Sequence, residues 1–497
     1  MDRIARECQS TMDNAMDYRT WREAAEELDR RQGLDDWKED EPSDDYDWRL
    51  IRSRLRQLRQ YRAEKDTKRL IHHLRQGLHW NLGNIGNPRL YAVARVGTKQ
   101  LIQDYIAEVV GALNELCDGE VAEFPPQDKL KFFHEVALSY GRSALMLSGG
   151  ATLGLFHVGV VKALYQEDVL PNVLSGSSAG SVVAATVGTR KPGEMSELLD
   201  PASAYYHFWK PLTLKAMLQR GSIMDPAQVR KAIARNVRDL TFEESYQLSG
   251  KVVNITVSPA ASNQQPRLLN YLTFPYLYLR EAVLASCAVP LLFPPVMLMT
   301  RDESAERVPF MPQLKWNDGS LKSDLPIMRM RRLHNVNHFV VSQTNPHVIA
   351  FMNQQSGEDE GRGLLRAARR FALSTVRNSA KNVLDLARGA LPIGDSGRHL
   401  DVASSILAQE YRGNVTIFPQ RSLWRFMRVT VNPKLADVER FILEGERATW
   451  ARLSQVRNQV LISQTLDRCV DRLEHLHLSA ERKELPGKPG LRIVRSR

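Results

Sequence analysis

The stretch Val173 to Val187, VLSGSSAGSVVAATV, sets the reading of the chain. A short apolar lead-in, Val173 and Leu174, runs into Gly176-Ser177-Ser178-Ala179-Gly180 and then into small apolar residues. That pattern predicts a strand, a sharp turn and a helix. A serine at the top of such a turn is held in a strained backbone with its hydroxyl exposed. A Cβ at Gly176 or Gly180 would crowd the turn, so both flanks are glycine. Ser178 is therefore a candidate nucleophile. Alone the pattern is weak, because glycine and serine are common residues, and two further stretches give it weight.

Upstream, Ala144 to Leu147 reads as a buried strand entering Gly149, Gly150, Ala151, Thr152, Leu153 and Gly154, followed by the helix-like LFHVGVVKAL. A glycine-rich loop between strand and helix aims bare N–H groups at one spot. Such donors suit a phosphate or the oxyanion of a tetrahedral acyl intermediate. Downstream, Asp318-Gly319-Ser320 offers an acid at a tight turn, either an ordinary turn residue or the base that takes the proton of Ser178.

Glycine loop, serine turn and late aspartate, in that order, resemble the patatin-like phospholipase family. CAVPLLFPPV (287–296) is similar to that family's segment between nucleophile and aspartate. The N-terminal WREAAEELDRRQGLDDWKED and GLHWNLGNIGNPRLY, with VNHFVVSQTNPHV (336–348), resemble the branch that contains triacylglycerol lipases of yeast and plant lipid stores. The resemblance implies a patatin-like three-layer α/β sandwich with a mainly parallel sheet. It also implies a Ser178–Asp318 dyad without an intervening histidine, an oxyanion hole from Gly149, Gly150 and Ala151, and cleavage of lipid esters through an acyl-enzyme. The chain departs from the family where Ala151 replaces a third glycine and Leu153 a basic residue. Alanine still donates its N–H, while loss of the cation weakens any phosphate contact and favours neutral lipid.

At 497 residues the chain has room for two or three domains, and 43% hydrophobic with 25% charged residues is an ordinary globular composition. A net charge of +11 implies attraction to anionic surfaces. No nucleic-acid signature accompanies it, so a lipid surface is the expected partner. Cys8, Cys117, Cys287 and Cys469 lie far apart, which argues against a disulfide framework or a zinc site. No cofactor or metal is expected. MDRIARECQS lacks a signal-peptide core, and the uncharged run 282–299 is broken by Pro290, Pro294 and Pro295. That run is expected to be a buried helix ending near Val289, then a loop. Together these features predict an intracellular, cytoplasmic protein with peripheral association to a membrane or lipid-droplet surface.

Residues 1–140 read as mostly helical, with Trp80 and Tyr91 as core. Residues 141–345 alternate strands (144–147, 173–174, 252–257, 338–342) with helices (155–166, 179–188, 194–207, 226–235, 280–288), the pattern of a parallel sheet covered by helices. Residues 346–497 read as a helical basic region with a mobile tail. In it, Arg362, Arg366, Arg369, Arg370, Arg377, Lys381 and Arg388 form a stripe over 362–388 that suits either an anionic lipid surface or a solvated face. Among the histidines, His347 is the alternative general base of a Ser-His-Asp esterase, with His207, His334 and His338 also following the serine. His157 reads as a packing or helix-surface residue, and His475 with His477 as a solvated pair. A further alternative is a catalytically silent lipid-binding protein.

Overall fold

A computed structural model of the chain describes residues 3–120, 124–198, 200–220, 222–261, 264–345, 348, 412–420 and 429–484. The basic stripe 362–388, His347 and the C-terminal tail lie outside the described residues.

The sheet is built from β1 (Arg142–Leu147), β2 (Val173–Gly176), β3 (Val252–Pro259), β4 (Arg267–Leu269), β5 (Trp316–Asp318), β6 (Val336–Ser342) and β7 (Val415–Ile417). Its order is β4-β3-β2-β1-β6-β7, with β5 also pairing to β3. The four pairings β3–β2, β2–β1, β1–β6 and β6–β7 are parallel, and β4 and β5 run antiparallel to β3. The fold is therefore α/β with a mainly parallel sheet flanked by helices.

Alternation along the strands explains why both faces are covered. Leu145, Leu147, Leu174, Val253, Ile255 and Val340 feed one apolar core, while Ala144, Met146, Val173, Val252, Phe339 and Val341 feed another. Strands buried on two faces read as continuous apolar runs, as these do. The helices Leu155–Gln166 and Ala179–Gly188 follow β1 and β2 directly. Both catalytic candidates before Asp318 consequently lie at carboxyl ends of parallel strands, where loops of such sheets gather.

Before the sheet come the helices Arg3–Asn14, Tyr18–Arg31, Trp48–Ala63, Thr67–Gly77, Gln100–Asp118 and Pro126–Tyr140. Their caps follow the sequence: Asp17, Asp47 and Asp66 each accept a backbone N–H three residues on. The last helix, Leu453–Glu484, joins the two bodies. Its Val456 and Val460 enter the core of the sheet, and Ile462, Leu466, Cys469 and Leu473 enter the core of the N-terminal helices. Tyr91 is buried, its hydroxyl donating to the carbonyl of Ile85 at 3.1 Å, whereas Trp80 is only half-buried.

Two readings need correction, and a third, the buried helix ahead of the prolines in 282–299, is borne out to within three residues of its expected end. The expected helix 194–207 ends at Leu198, and residues 200–210 are irregular. Pro201 disfavours helical backbone at its predecessor, and the aromatic residues that follow turn inward to line a cavity. The helix of the 282–299 run is Leu279–Ser286, so it stops before Pro290, and no described helix is long and apolar enough to cross a membrane. The three-residue strands β4, β5 and β7, and a ribbon of Met299–Arg301 with Arg307–Pro309, had no counterpart in the sequence reading.

Candidate active site

Ser178 sits between β2 and the helix Ala179–Gly188 with φ of 50° and ψ of −120°, a conformation strained for a residue with a side chain. The strain is held by close backbone approach on both sides. A Cβ on Gly176 would lie 2.3 Å from the carbonyl oxygen of Gly180, and one on Gly180 would lie 2.2 Å from that of Leu147. The N–H of Ser178 donates to Ser286 Oγ at 2.9 Å, and the Ser286 hydroxyl donates to the carbonyl of Thr256 at 2.8 Å. The turn is thus anchored to β3 by a buried side chain.

Asp318 ends β5, where antiparallel pairing sets it opposite Val257. It is 2% exposed. One oxygen accepts the Ser320 N–H at 2.8 Å, while Oδ2 is buried with no hydrogen-bond partner among the described residues. Burial pushes this carboxyl up to about 6, opposed by the Ser320 amide and by the neighbouring Ser178 hydroxyl. The hydroxyl is thus near enough to bias the acid, yet no hydrogen bond between the two is closed. A buried carboxylate with an unused oxygen beside a serine is equipped to take a proton.

The glycine loop reaches the same point. A Cβ on Gly149 would stand 3.0 Å from Ser320 Cβ and 3.5 Å from Ser178 Cβ. The loop's three expected donors nevertheless differ. The N–H of Gly149 donates to Asp324 Oδ1 at 2.8 Å, so this amide is engaged. Those of Gly150 and Ala151 meet no acceptor among the described residues. Ala151 has φ of 52°.

Asp324, Asn345 and Ser286 carry no motif signal, and the sequence reading missed all three. Asp324 is 1% exposed and its second oxygen accepts from Asn345 Nδ2 at 3.2 Å. Burial, and to a lesser degree the Asp318 charge, push it up to about 7 against the pull of its hydrogen bonds.

The site opens into a cavity of about 320 Å³. It is bounded on one side by Ala179, Val182, Val183, Thr186 and Val187, one face of the helix that Ser178 begins, and its wall includes Tyr206, Phe208, Trp209 and Phe293. Among the described lining residues Asp318 is the only charged side chain, and there is no lysine, arginine or histidine. Cys287 also lines it, its thiol pushed up by burial and donating to the carbonyl of Ser178 at 3.5 Å.

The histidines lie elsewhere. His157 is fully buried. Its Nε2 donates to the Ser148 carbonyl at 2.9 Å and its Nδ1 accepts the Ser342 hydroxyl at 2.7 Å, and burial holds it down to about 4, so it is a neutral clamp between β1 and β6. His334 bonds Asn254 and His338 is buried in the sheet, while His207 and His475 are exposed. No cluster that could hold a metal ion occurs among the described residues.

Residues 145–330 match the family described as patatin-like phospholipase, and residues 2–138 match a domain of unknown function (DUF3336). The chain is 34% identical to triacylglycerol lipase SDP1L of Arabidopsis thaliana, over 94% of this chain and 59% of that one. It is 32% identical to triacylglycerol lipase ptl3 of Schizosaccharomyces pombe, over 94% of this chain and 98% of that one. With triacylglycerol lipase 4 of Saccharomyces cerevisiae it shares 33% identity, over 93% of this chain and 52% of that one. The chain thus spans nearly all of the fission-yeast relative and little more than half of the other two.

Proposed function

We propose that this chain, which belongs to the patatin-like phospholipase family, is a serine hydrolase of lipid carboxylic esters that works through an acyl-enzyme. The observation that carries the reading is the strained Ser178 beside the buried, half-satisfied Asp318 at the end of an apolar cavity. Asp318 takes the proton of Ser178, and the serine oxygen attacks the ester carbonyl carbon. The developing oxyanion is received by the amides of Gly150 and Ala151, each such donor being worth about 3 kcal/mol. Collapse releases the alcohol, which takes the proton from Asp318. Water, deprotonated by the same carboxylate, then frees the fatty acid and regenerates Ser178. Gly149 belongs to the same loop, its amide spent on Asp324, which fixes the loop.

A neutral ester fits the cavity better than a phospholipid. Among the described lining residues no cationic side chain meets a phosphate, and the relatives named above are triacylglycerol lipases. In this reading residues 141–345 form the catalytic body, with 1–140 and 346–497 as helical additions, and the protein works at a membrane or lipid-droplet surface.

Hydrolysis of a soluble short-chain ester by wild type, Ser178→Ala and Asp318→Asn tests this. Loss in both variants, with fluorophosphonate labelling of wild type and Asp318→Asn compared for nucleophile reactivity, supports the dyad. Activity retained in Asp318→Asn and abolished in His347→Ala would replace it with a triad. Lipid binding without hydrolysis in wild type would make the protein a silent binder.

A further inference from the structure

We propose that the apolar rim of this cavity is a docking surface for a phospholipid-coated lipid surface. The choice of lipid as partner rests on the ester-hydrolase reading above. Leu214 and Leu218 are 74% and 80% exposed, Leu291 is 72%, and Ile223 is 43%. Solvated leucines this open are ordinary when scattered, but these are gathered by the backbone. The N–H of Leu212 donates to the Ile223 carbonyl at 2.9 Å, closing the base of a projecting excursion. The N–H of Ile223 donates to the Leu291 carbonyl at 3.2 Å, and that of Met224 to Leu292 at 3.1 Å. Within the excursion the short helix Leu214–Arg220 sets Leu214 and Leu218 four residues apart, on one face.

The same ledge is continuous with the cavity. Phe208 and Trp209, which lead into the excursion, and Leu292 and Phe293, which follow Leu291, all line it. On the facing side Val431 and Leu435 are 43% and 54% exposed, and Thr430, just before them, and Pro433, between them, line the cavity. Asn432 clasps the two sides, accepting the Trp209 N–H at 2.9 Å and donating to the Trp209 carbonyl at 2.7 Å. Six exposed apolar side chains therefore bracket the mouth through which an acyl chain must enter. Contiguous exposed apolar surface on a soluble chain marks an interaction site. The exposed Lys215 on the excursion and the net charge of +11 favour an anionic monolayer or bilayer over an acidic-faced protein groove as the apolar partner. Insertion of Leu214 and Leu218 would bring the mouth to the level of the acyl chains, so that a substrate passes from lipid to cavity without crossing water.

The experiment compares full chains carrying Ser178→Ala, with and without Leu214→Ser/Leu218→Ser, for flotation with vesicles of phosphatidylcholine and phosphatidylserine. Binding should fall about tenfold or more. In the Ser178 background the same double substitution should leave hydrolysis of a soluble short-chain ester within about twofold, while hydrolysis of emulsified lipid falls about tenfold. Leu291→Ser repeats the test on a separate segment should the first variant misfold. Unchanged flotation in both overturns the proposal. So does a drop in soluble-ester activity or in thermal stability in both variants, which would mean that another part of the chain covers these side chains. A wild-type dimer that the substitution converts to monomer overturns it too, making the rim a subunit interface. Absence of ester hydrolysis by wild type would instead sink the enzyme reading, while loss of flotation would still stand for the surface.

Discussion

The carboxylate of Asp324 accepts the amide proton of Gly149 at 2.8 Å, so an acid six residues past Asp318 fixes the loop that lies against Ser178. Asp324→Ala leaves the buried N–H of Gly149 and the amide of Asn345 without this acceptor, each such group costing about 1–3 kcal/mol. We expect kcat to fall about 10- to 100-fold with KM little changed, because the loop is loosened while the cavity is intact. Asp324→Asn keeps an oxygen for Gly149 and should lose less. Steady-state kinetics on a soluble ester would check this, and equal losses in the two variants would contradict it.

Asp318 predicts the pH profile. Its carboxyl, pushed up to about 6 by burial, must be ionised to act as base, so activity should rise with pH through that value and level off above it. Stability runs the other way. A carboxyl raised above its ordinary 3.8 contributes fully below that pH and loses its contribution as pH rises to about 6. Asp318→Asn should therefore be inactive but more stable than wild type above pH 6 by about 2–3 kcal/mol, with no difference below the ordinary carboxylate range. Chemical denaturation at both ends of the range reads the sign.

At the serine turn, Gly180→Ala would drive a Cβ to 2.2 Å from the carbonyl oxygen of Leu147, which is backbone and cannot swing aside. The expected outcome is loss of activity together with a fall in stability of about 2–4 kcal/mol. An active variant with unchanged melting would mean the turn is looser than described.

The cavity wall predicts chain-length selectivity. Val183 lies five residues along the helix from Ser178, about 7.5 Å at the rise of an α-helix. Val183→Phe should close the cavity beyond that depth, cutting kcat/KM for long-chain esters about tenfold while short-chain esters are hydrolysed as before. A panel of esters of increasing acyl length measures this directly.

Loss of the Ser286 hydroxyl should also be felt. Ser286→Ala strands the Ser178 N–H and should reduce kcat about tenfold without a matching change in KM. Retention of full activity would remove Ser286 from the positioning of the nucleophile.

The sequence by itself determined the order of parts. The strand-turn-helix at Ser178 was legible because the glycines, the apolar lead-in and the small-residue helix each follow from local sterics, and the helices at 155–166 and 179–188 stand where the periodicity put them. The parallel sheet followed from alternation of apolar strands and helices, and the family from motifs in sequence order. Only the tertiary structure decided what those parts meet. The three-residue strand that ends in Asp318 has no periodicity of its own and exists because it pairs with β3. Asp324 reads as an ordinary polar residue after a serine until folding brings it to an amide 175 residues earlier in the chain. A helix is expected over 194–207, yet beyond Leu198 the chain leaves helix, and Tyr206, Phe208 and Trp209 wall a cavity instead. Local backbone preference acts over a few residues and is written in the chain, whereas burial, a shifted acid and a spent donor arise only between segments that the fold brings together.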